Sequence, residues 1–205
     1  MALKIYGIPR SRAFRTLWMA KELGLDYENV PIGTNDGSSR TPDFLKINPN
    51  GHIPTIEDNG FILWESMAIN LYLAKKYSPN ALYPARLEDE ARAWQWSFWG
   101  MTEVERPVLT AMFHRALLPE DKRDAALADQ CERELQAPLQ VLDGAVANQP
   151  YLLGEYFTVD DLNVASILAW ARPARIDFGP FPKAADWSRR CAERPAARAA
   201  RELQR

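Results

Sequence analysis

The chain has 205 residues, of which 47% are hydrophobic and 25% are charged, so it can bury a large core in one or two domains. Its 25 basic and 27 acidic residues leave a net charge of −2, which gives no electrostatic reason to expect nucleic acid or an anionic membrane as a partner. No stretch approaches the roughly 20 apolar residues of a membrane helix, and the opening MALKIYG is typical of a strand rather than a signal peptide, so we expect a cytoplasmic protein.

The first residues predict a strand, a helix and a second strand. Residues 3–7 alternate in strand fashion, residues 12–23 have helical spacing before Gly24, and residues 27–31 are typical of a strand. A short crossover of this kind is right-handed and pairs its two strands in parallel. The chain therefore begins as an α/β unit.

The next segment predicts a loop, a short helix and a hairpin. Residues 33–43 are rich in turn formers, and at their end Thr41 can cap a helix that has Pro42 in its first turn. Residues 55–58 and 61–64 are apolar-rich runs around an Asn-Gly pair, the dipeptide best suited to a tight antiparallel hairpin.

The rest of the chain is predicted to be helical. Residues 66–77 carry an apolar helical face, and residues 78–84 then break the periodicity, so we place the domain boundary there. Beyond it the composition favours helices at about 87–117, 120–147 and 158–172, with another near the end. The two expected domains are residues 1–80 and residues 87–205.

This order of elements resembles the glutathione transferase family over nearly the whole chain. The specific parts are NPNGHIPTIEDNGFILWESMAI at residues 48–69 and the segment around Thr158. The resemblance implies an α/β thioredoxin-like N-terminal domain of order βαβαββα that binds glutathione, followed by an all-α helical domain that contributes the electrophile pocket.

The Ile53-Pro54 pair is interpreted differently with and without the resemblance. From the residues alone, a trans proline that begins an edge strand is favoured, because cis is the minority state of X-Pro bonds. The resemblance implies a cis bond, with Ile53 pairing with the cysteinyl backbone of glutathione.

Glu65 and Ser66 lie where the hairpin meets the next helix. The residues alone favour an ordinary helix start with an acid in the first turn, although main-chain amides and a hydroxyl there also suit an anion. The resemblance implies that Glu65 faces the ammonium of the γ-glutamyl end of glutathione and that Ser66 faces its carboxylate.

Ser11 precedes the first helix, where a serine is usually a cap. PRSRAFR at residues 9–15 is similar to the serine-type transferases of the phi, theta and delta groups, whose serine matches Ser11 and whose arginine matches Arg15, which we interpret as structural. A free thiol with a pKa of about 8.5 is only a few per cent ionised at neutral pH, so a hydroxyl that stabilises the thiolate raises the fraction of nucleophile. The resemblance makes Ser11 that donor, with glutathione as a cosubstrate and no cofactor.

Two further residues are assigned by the same comparison of motifs. His52 matches a position where relatives carry glutamine or lysine that reaches the bound peptide, and Arg40 lies where phi-type sequences carry a lysine for the glycine carboxylate. From the residues alone both are exposed loop side chains, and that interpretation stays open. His114 is interpreted as solvated or structural.

The cysteines restrict the chemistry. Cys131 and Cys191 form neither a CxxC pair nor a metal-ligand cluster, so we expect two free thiols in a reducing compartment and no metal site. No cysteine precedes residue 131, which argues against thioredoxin-like or omega-type exchange. The SerSerCys signature of the zeta-type isomerases is missing too, since Ser11 is followed by Arg12 and Ala13.

We interpret two features of the helical segment as structural. Thr158 and Asp161 have the spacing of a capping box, flanked by Phe157 and Leu162 as a hydrophobic staple. The aromatic run AWQWSFW at residues 93–99 is typical of a core or a subunit interface, while the resemblance leaves open that some of its side chains line the electrophile pocket.

The sequence thus predicts a glutathione transferase that conjugates the thiolate to small apolar electrophiles, with a role in detoxification. The resemblance also implies a homodimer, with neither nucleic acid nor membrane as a partner. Two alternatives stay open: a non-catalytic transferase-like protein for ligand binding or assembly, and a glutathione-dependent peroxidase or dehalogenase.

Overall fold

The computed structural model describes residues 3–78 and 81–203, which fall into two compact units. The first unit contains the described residues up to Tyr83 together with those from Arg194 onward, and the second is Pro84–Glu193. The sequence placed everything after residue 87 in the helical domain, whereas the structure returns the last segment to the first unit.

A four-stranded mixed sheet forms the centre of the first unit. Its strands are β1 (Leu3–Tyr6), β2 (Glu28–Val30), β3 (Thr55–Asp58) and β4 (Phe61–Trp64), in the order β2-β1-β3-β4. β1 pairs in parallel with β2 and antiparallel with β3, and β4 pairs antiparallel with β3. The predicted parallel crossover and the hairpin are both present, and each hairpin strand has the predicted bounds.

Three helices connect these strands or follow them: α1 (Ala13–Glu22), α2 (Pro42–Ile47) and α3 (Ser66–Tyr77). The first eight residues of α1 are all buried, because this helix packs between the sheet and its neighbouring helices. The Thr41 hydroxyl accepts the Phe44 amide at 3.3 Å, which is the predicted cap of α2. A short 3₁₀ turn, Ser38–Arg40, lies in the loop before α2.

The second unit is helical: α4 (Leu87–Trp99), α5 (Glu105–Met112), α6 (Ala125–Glu134), α7 (Gln136–Ala145), α8 (Val159–Leu168) and α9 (Pro182–Ala192). Every residue of α8 is buried, so this helix forms the middle of the unit. π-helical turns at Gly100–Val104 and Phe113–Leu117 make residues 87–117 one continuous helical segment, as predicted.

Two predicted helices are each divided in the structure, and proline explains both divisions. The segment predicted at 120–147 contains α6 and α7, because Pro138 has no amide hydrogen to donate to the carbonyl of Glu134, where α6 ends. The helix expected near the end is two helices, α9 and α10 (Pro195–Glu202), because Pro195 requires an extended Arg194 before it. The other predicted helix, 158–172, ends earlier, at Leu168.

The last helix is anchored within the first unit. α10 packs against α1, and the Arg194 guanidinium just before it binds both carboxylate oxygens of Glu22, at 2.7 and 2.8 Å. The Glu22 side chain is only 6% exposed and also accepts the Trp18 indole N–H. A planar bidentate pair of this kind fixes the start of α10 on the end of α1.

Cys131 and Cys191 are both buried free thiols. Among the described residues, no helix is both long enough and apolar enough to cross a membrane.

Candidate active site

Ser11 lies in the turn between β1 and α1, two residues before the helix begins. Its hydroxyl donates to the Ile8 carbonyl at 2.6 Å and accepts the amide of Ala13 at 3.0 Å. The side chain is half-buried, so it stays accessible. Because the Ala13 amide belongs to the positive end of α1, negative charge near Ser11 is favoured.

The Ser11 turn meets the segment that carries Ile53. Gly7, at the end of β1, has a φ of +143°, and a Cβ built on it would lie 2.6 Å from the Cβ of Ala13 and 3.3 Å from the Cβ of Ile53. The first loop, the start of α1 and the residue before Pro54 therefore meet too closely to leave room for a side chain at Gly7. Ser11 and Ile53, 42 positions apart in the sequence, lie on segments that come together at this point.

The Ile53-Pro54 peptide bond is cis, as the resemblance implied. The Ile53 side chain is buried in a cluster with Tyr6 and Phe44. Among the described residues, neither the amide nor the carbonyl of Ile53 has a hydrogen-bond partner. An extended peptide can therefore pair with this main chain in the manner of an added strand.

Glu65 and Ser66 lie at the start of α3. Glu65 is exposed and has a φ of +73°, a backbone conformation that is costly for a residue with a Cβ and that is common at functional sites. Ser66 is buried, and its hydroxyl accepts the Nη1 of the fully buried Arg15 at 3.2 Å. In the described part of the chain no side chain caps α3, so its first amides are available to an anion.

The Arg15–Ser66 contact is the second link that assembles the site. It joins α1, directly after the Ser11 turn, to the N-terminus of α3, across 51 positions of sequence. Arg15 thus has the structural position that its match to relatives implied. The hydroxyl hydrogen of Ser66 remains able to donate, because Ser66 acts only as an acceptor toward Arg15.

The loop that carries His52 is organised by Asn48. The Asn48 amide donates to the His52 carbonyl at 2.8 Å and to the Thr55 hydroxyl at 3.0 Å, while its oxygen accepts the amide of Asn50. The last contact is an Asx turn. His52 itself is exposed, and Arg40 donates to the Asn50 carbonyl at 3.0 Å, so both side chains border this loop at the surface.

A second hydroxyl near the end of β1 is already committed. The Tyr6 hydroxyl donates to the Glu57 carboxylate at 3.0 Å, and burial followed by this contact raises the pKa of Tyr6 to about 12. Tyr6 is therefore a neutral phenol at physiological pH whose hydrogen is engaged. The Ser11 hydrogen is also engaged, but its acceptor is the neutral Ile8 carbonyl, whereas Tyr6 donates to a carboxylate, the stronger kind of acceptor.

Sequence reasoning missed the supporting residues Gly7, Asn29 and Asn48. The Asn29 side chain donates to the carbonyls of Ile5 and Gly7, both at 2.9 Å, and so holds the end of β1. Only Asn48 had a local signal, since an asparagine before Pro-Asn-Gly is typical of a turn. The other two act through contacts between distant segments.

Thr158 and Asp161 form the predicted capping box at the start of α8, in the second unit. Asp161 also accepts the Leu152 amide at 2.9 Å and the Trp187 indole N–H at 2.8 Å. Burial raises the pKa values of Asp160 and Asp161, and the hydrogen bonds to Asp161 act in the opposite direction. Thr158 and Asp161 therefore both stabilise the packing of the helical unit.

The described residues contain no group of three or more His, Cys, Asp or Glu side chains arranged to hold a metal ion. The site that they do form consists of main-chain amides, hydroxyls and one exposed carboxylate on a thioredoxin-like sheet. Such a set of groups suits an extended peptide that carries both a carboxylate and an ammonium.

Comparison with known proteins agrees with this class. The family model for the glutathione S-transferase N-terminal domain matches residues 1–75, and that for the C-terminal domain matches residues 106–195. Glutathione S-transferase 3 of Zea mays is 36% identical over 208 residues, which cover 95% of this chain and 90% of that protein. Glutathione S-transferase GstB of Escherichia coli strain K12 is 31% identical, over 90% of this chain and 89% of that protein.

Solved structures give the same result. The theta class glutathione S-transferase from Xanthomonas axonopodis pv. citri, determined with glutathione bound, has a TM-score of 0.90 and 31% identity, with 97% of this chain and 96% of that chain covered. The chain belongs to the glutathione S-transferase family.

Proposed function

We propose that this protein is a glutathione transferase in which Ser11 stabilises the glutathione thiolate for attack on small apolar electrophiles. The observation that carries the proposal is the convergence of Ser11, Ile53 and Ser66 in one unit. Gly7 lies against both Ile53 and the start of α1, which follows Ser11. Arg15, also on α1, hydrogen-bonds to Ser66. Separate hydroxyls and prolines at these sequence positions would not by themselves make a peptide site.

Glutathione binding follows from the groups that this site offers. The unpaired main chain of Ile53 pairs with the cysteinyl residue, and the start of α3 receives the γ-glutamyl end, with Glu65 facing its ammonium and Ser66 its carboxylate. Arg40 and His52, at the surface of the Asn48 loop, are proposed contacts for the glycine end.

The chemical step requires a thiolate at neutral pH. To donate to sulfur, the Ser11 hydrogen turns from the Ile8 carbonyl while the oxygen keeps the bond from the Ala13 amide. A fall of about two units in the thiol pKa corresponds to roughly 2.7 kcal/mol, which one charge-assisted hydrogen bond and the helix terminus together supply. The thiol proton passes to solvent when the thiolate forms. The thiolate then makes a carbon–sulfur bond, and in a substitution the leaving group departs with the pair of its former bond.

We also propose a homodimer in a reducing cytoplasm. Edge strand β4 exposes three large apolar side chains, Phe61, Ile62 and Trp64, a density that a monomer rarely leaves in water. The two buried thiols are compatible with a reducing compartment. Sizing at several protein concentrations tests the dimer.

The deciding experiment compares wild type with Ser11→Ala, and with Ser11→Thr as a control that keeps the hydroxyl. Turnover is measured with aromatic halides, isothiocyanates, haloalkanes and hydroperoxides, and glutathione binding is measured by calorimetry. We expect Ser11→Ala to lose at least about tenfold in kcat/KM with binding retained, because it removes a donor aimed at developing charge. Unchanged turnover would assign thiolate stabilisation to another group, and binding without turnover in wild type would favour the non-catalytic alternative.

A further inference from the structure

Gly7 occupies the point where three segments of the candidate site meet. A Cβ at this position would lie 2.6 Å from the Cβ of Ala13, a separation that real side chains do not show, and 3.3 Å from the Cβ of Ile53. Ala13 and Ile53 are both buried. The missing side chain of Gly7 is therefore what allows the start of α1 and the Ile53 segment to approach each other.

Hydrogen bonds hold the main chain of Gly7 in place, so it cannot move away from such a contact. Its amide donates to the Val30 carbonyl at 2.9 Å, and its carbonyl accepts the side chain of Asn29 at 2.9 Å. The following residue, Ile8, donates to the Ile32 carbonyl at 3.1 Å. Because these bonds fix Gly7 to β2 and the residues after it, an added side chain must displace Ala13 or Ile53 instead.

A displacement of Ala13 acts directly on Ser11. The Ser11 hydroxyl is held between the Ile8 carbonyl, which is fixed next to Gly7, and the Ala13 amide, which would have to move. Opening the distance between Gly7 and Ala13 therefore changes both contacts of the hydroxyl. A displacement of Ile53 would instead move the main chain that pairs with the peptide.

We propose that Gly7 is a positioning residue that sets the separation between the Ser11 hydroxyl and the Ile53 main chain, and so the strength with which Ser11 stabilises the glutathione sulfur. This role rests on the proposed function, because it acts through Ser11 and Ile53. Gly7 contributes no reacting group of its own.

The test is a cycle of variants: Gly7→Ala, Ala13→Gly and the double variant that combines them. The double variant removes the Cβ that lies nearest to the new side chain, so it relieves the main contact. Gly24→Ala is the control for a side chain added at a positive φ, because Gly24 has a φ of +61° and a Cβ added there would meet no atom within 4 Å. Its backbone cost is smaller than that of Gly7→Ala, whose φ of +143° suits a side chain less well, and the Ala13→Gly rescue therefore separates the Cβ contact from the backbone cost.

Three quantities are measured for each variant: glutathione binding by calorimetry, the pKa of the bound thiol by its thiolate absorbance, and kcat/KM with chlorodinitrobenzene. We expect Gly7→Ala to raise the bound-thiol pKa toward the free value of about 8.5 and to lower kcat/KM by about 10- to 100-fold. The double variant should recover most of both losses, and Gly24→Ala should change neither.

A bound-thiol pKa that stays at the wild-type value in Gly7→Ala would overturn the proposal, as would an equal effect of Gly24→Ala or a failure of Ala13→Gly to rescue. If Gly7→Ala does not fold, Ala13→Val crowds the same contact from the α1 side and must raise the thiol pKa. Glutathione binding and the bound-thiol pKa are measured without turnover. A wild type that binds glutathione but does not conjugate it would therefore refute the transferase proposal, and the change in thiol pKa in Gly7→Ala would still decide the role of Gly7.

Discussion

Replacement of Asp161 by alanine tests the most heavily bonded side chain of the helical unit. Its carboxylate accepts the Thr158 amide at 3.0 Å within the capping box and, beyond it, the Leu152 amide and the Trp187 indole N–H. These contacts attach the start of α8 to the preceding loop and to α9. All of them are buried, so water does not replace them without rearrangement.

The expected cost follows from the three N–H donors that Asp161→Ala leaves without an acceptor. Each buried unsatisfied donor costs about 1 to 3 kcal/mol, and partial entry of water together with relief from burying the carboxylate offsets part of the sum. We expect a net loss of about 3 to 5 kcal/mol in the free energy of unfolding, or roughly 10 °C in Tm for a chain of this size. A cap alone would account for only about 1 kcal/mol.

Urea unfolding and thermal melting measure the loss, and Asp186→Ala serves as the control. Asp186 is also an aspartate of the second unit, but it is exposed and its ion pair is with the exposed Arg189, so its removal should cost little. Turnover per folded molecule of Asp161→Ala should equal that of wild type well below the Tm. A stability loss below about 1 kcal/mol together with reduced turnover would refute the structural assignment of Asp161.

Two further predictions concern stability. Burial, followed by the neighbouring charge of Asp161, raises the pKa of Asp160, so the folded chain holds this proton more tightly than the unfolded chain does. The contribution of the protonated Asp160 to the free energy of unfolding is therefore complete at acidic pH and is lost as pH rises above about 4 through the folded-state pKa. Asp160→Asn should flatten the decline in the free energy of unfolding in urea between about pH 5 and pH 9, and parallel curves for the variant and wild type would contradict this. Arg194→Ala removes the bidentate pair with Glu22 and should cost about 1 to 3 kcal/mol, whereas the exposed Arg198→Ala should cost little; equal Tm values for the two variants would refute the anchoring role.

Features that depend on adjacent residues were predictable from the sequence. The Asn-Gly pair fixed the hairpin, Thr41 and Pro42 fixed the start of α2, and the spacing of Thr158 and Asp161 indicated the capping box. In each case the residues that make the contact lie within a few positions of one another, so a short window contains the whole physical cause.

Features that depend on distant segments were not predictable in this way. The contact of Arg15 with Ser66 joins residues 51 positions apart, and the closeness of Gly7 to Ile53 depends on how β1, α1 and the cis-proline segment are arranged on the sheet. Motif resemblance supplied the candidate site residues, but the packing that brings their segments together had no signal in any single segment. The return of α10 to the first unit is of the same kind.

The position of α10 also affects the order in which the protein is completed during synthesis. The first unit includes residues on both sides of Pro84–Glu193, so its last helix leaves the ribosome only after the whole helical unit has been made. Before α10 has been synthesised, no other described part of the first unit covers the face of α1 against which α10 packs, where Glu22 and its partner Trp18 lie. The helical unit is therefore able to fold before the glutathione-binding unit is finished, contrary to the usual order in which the N-terminal domain matures first.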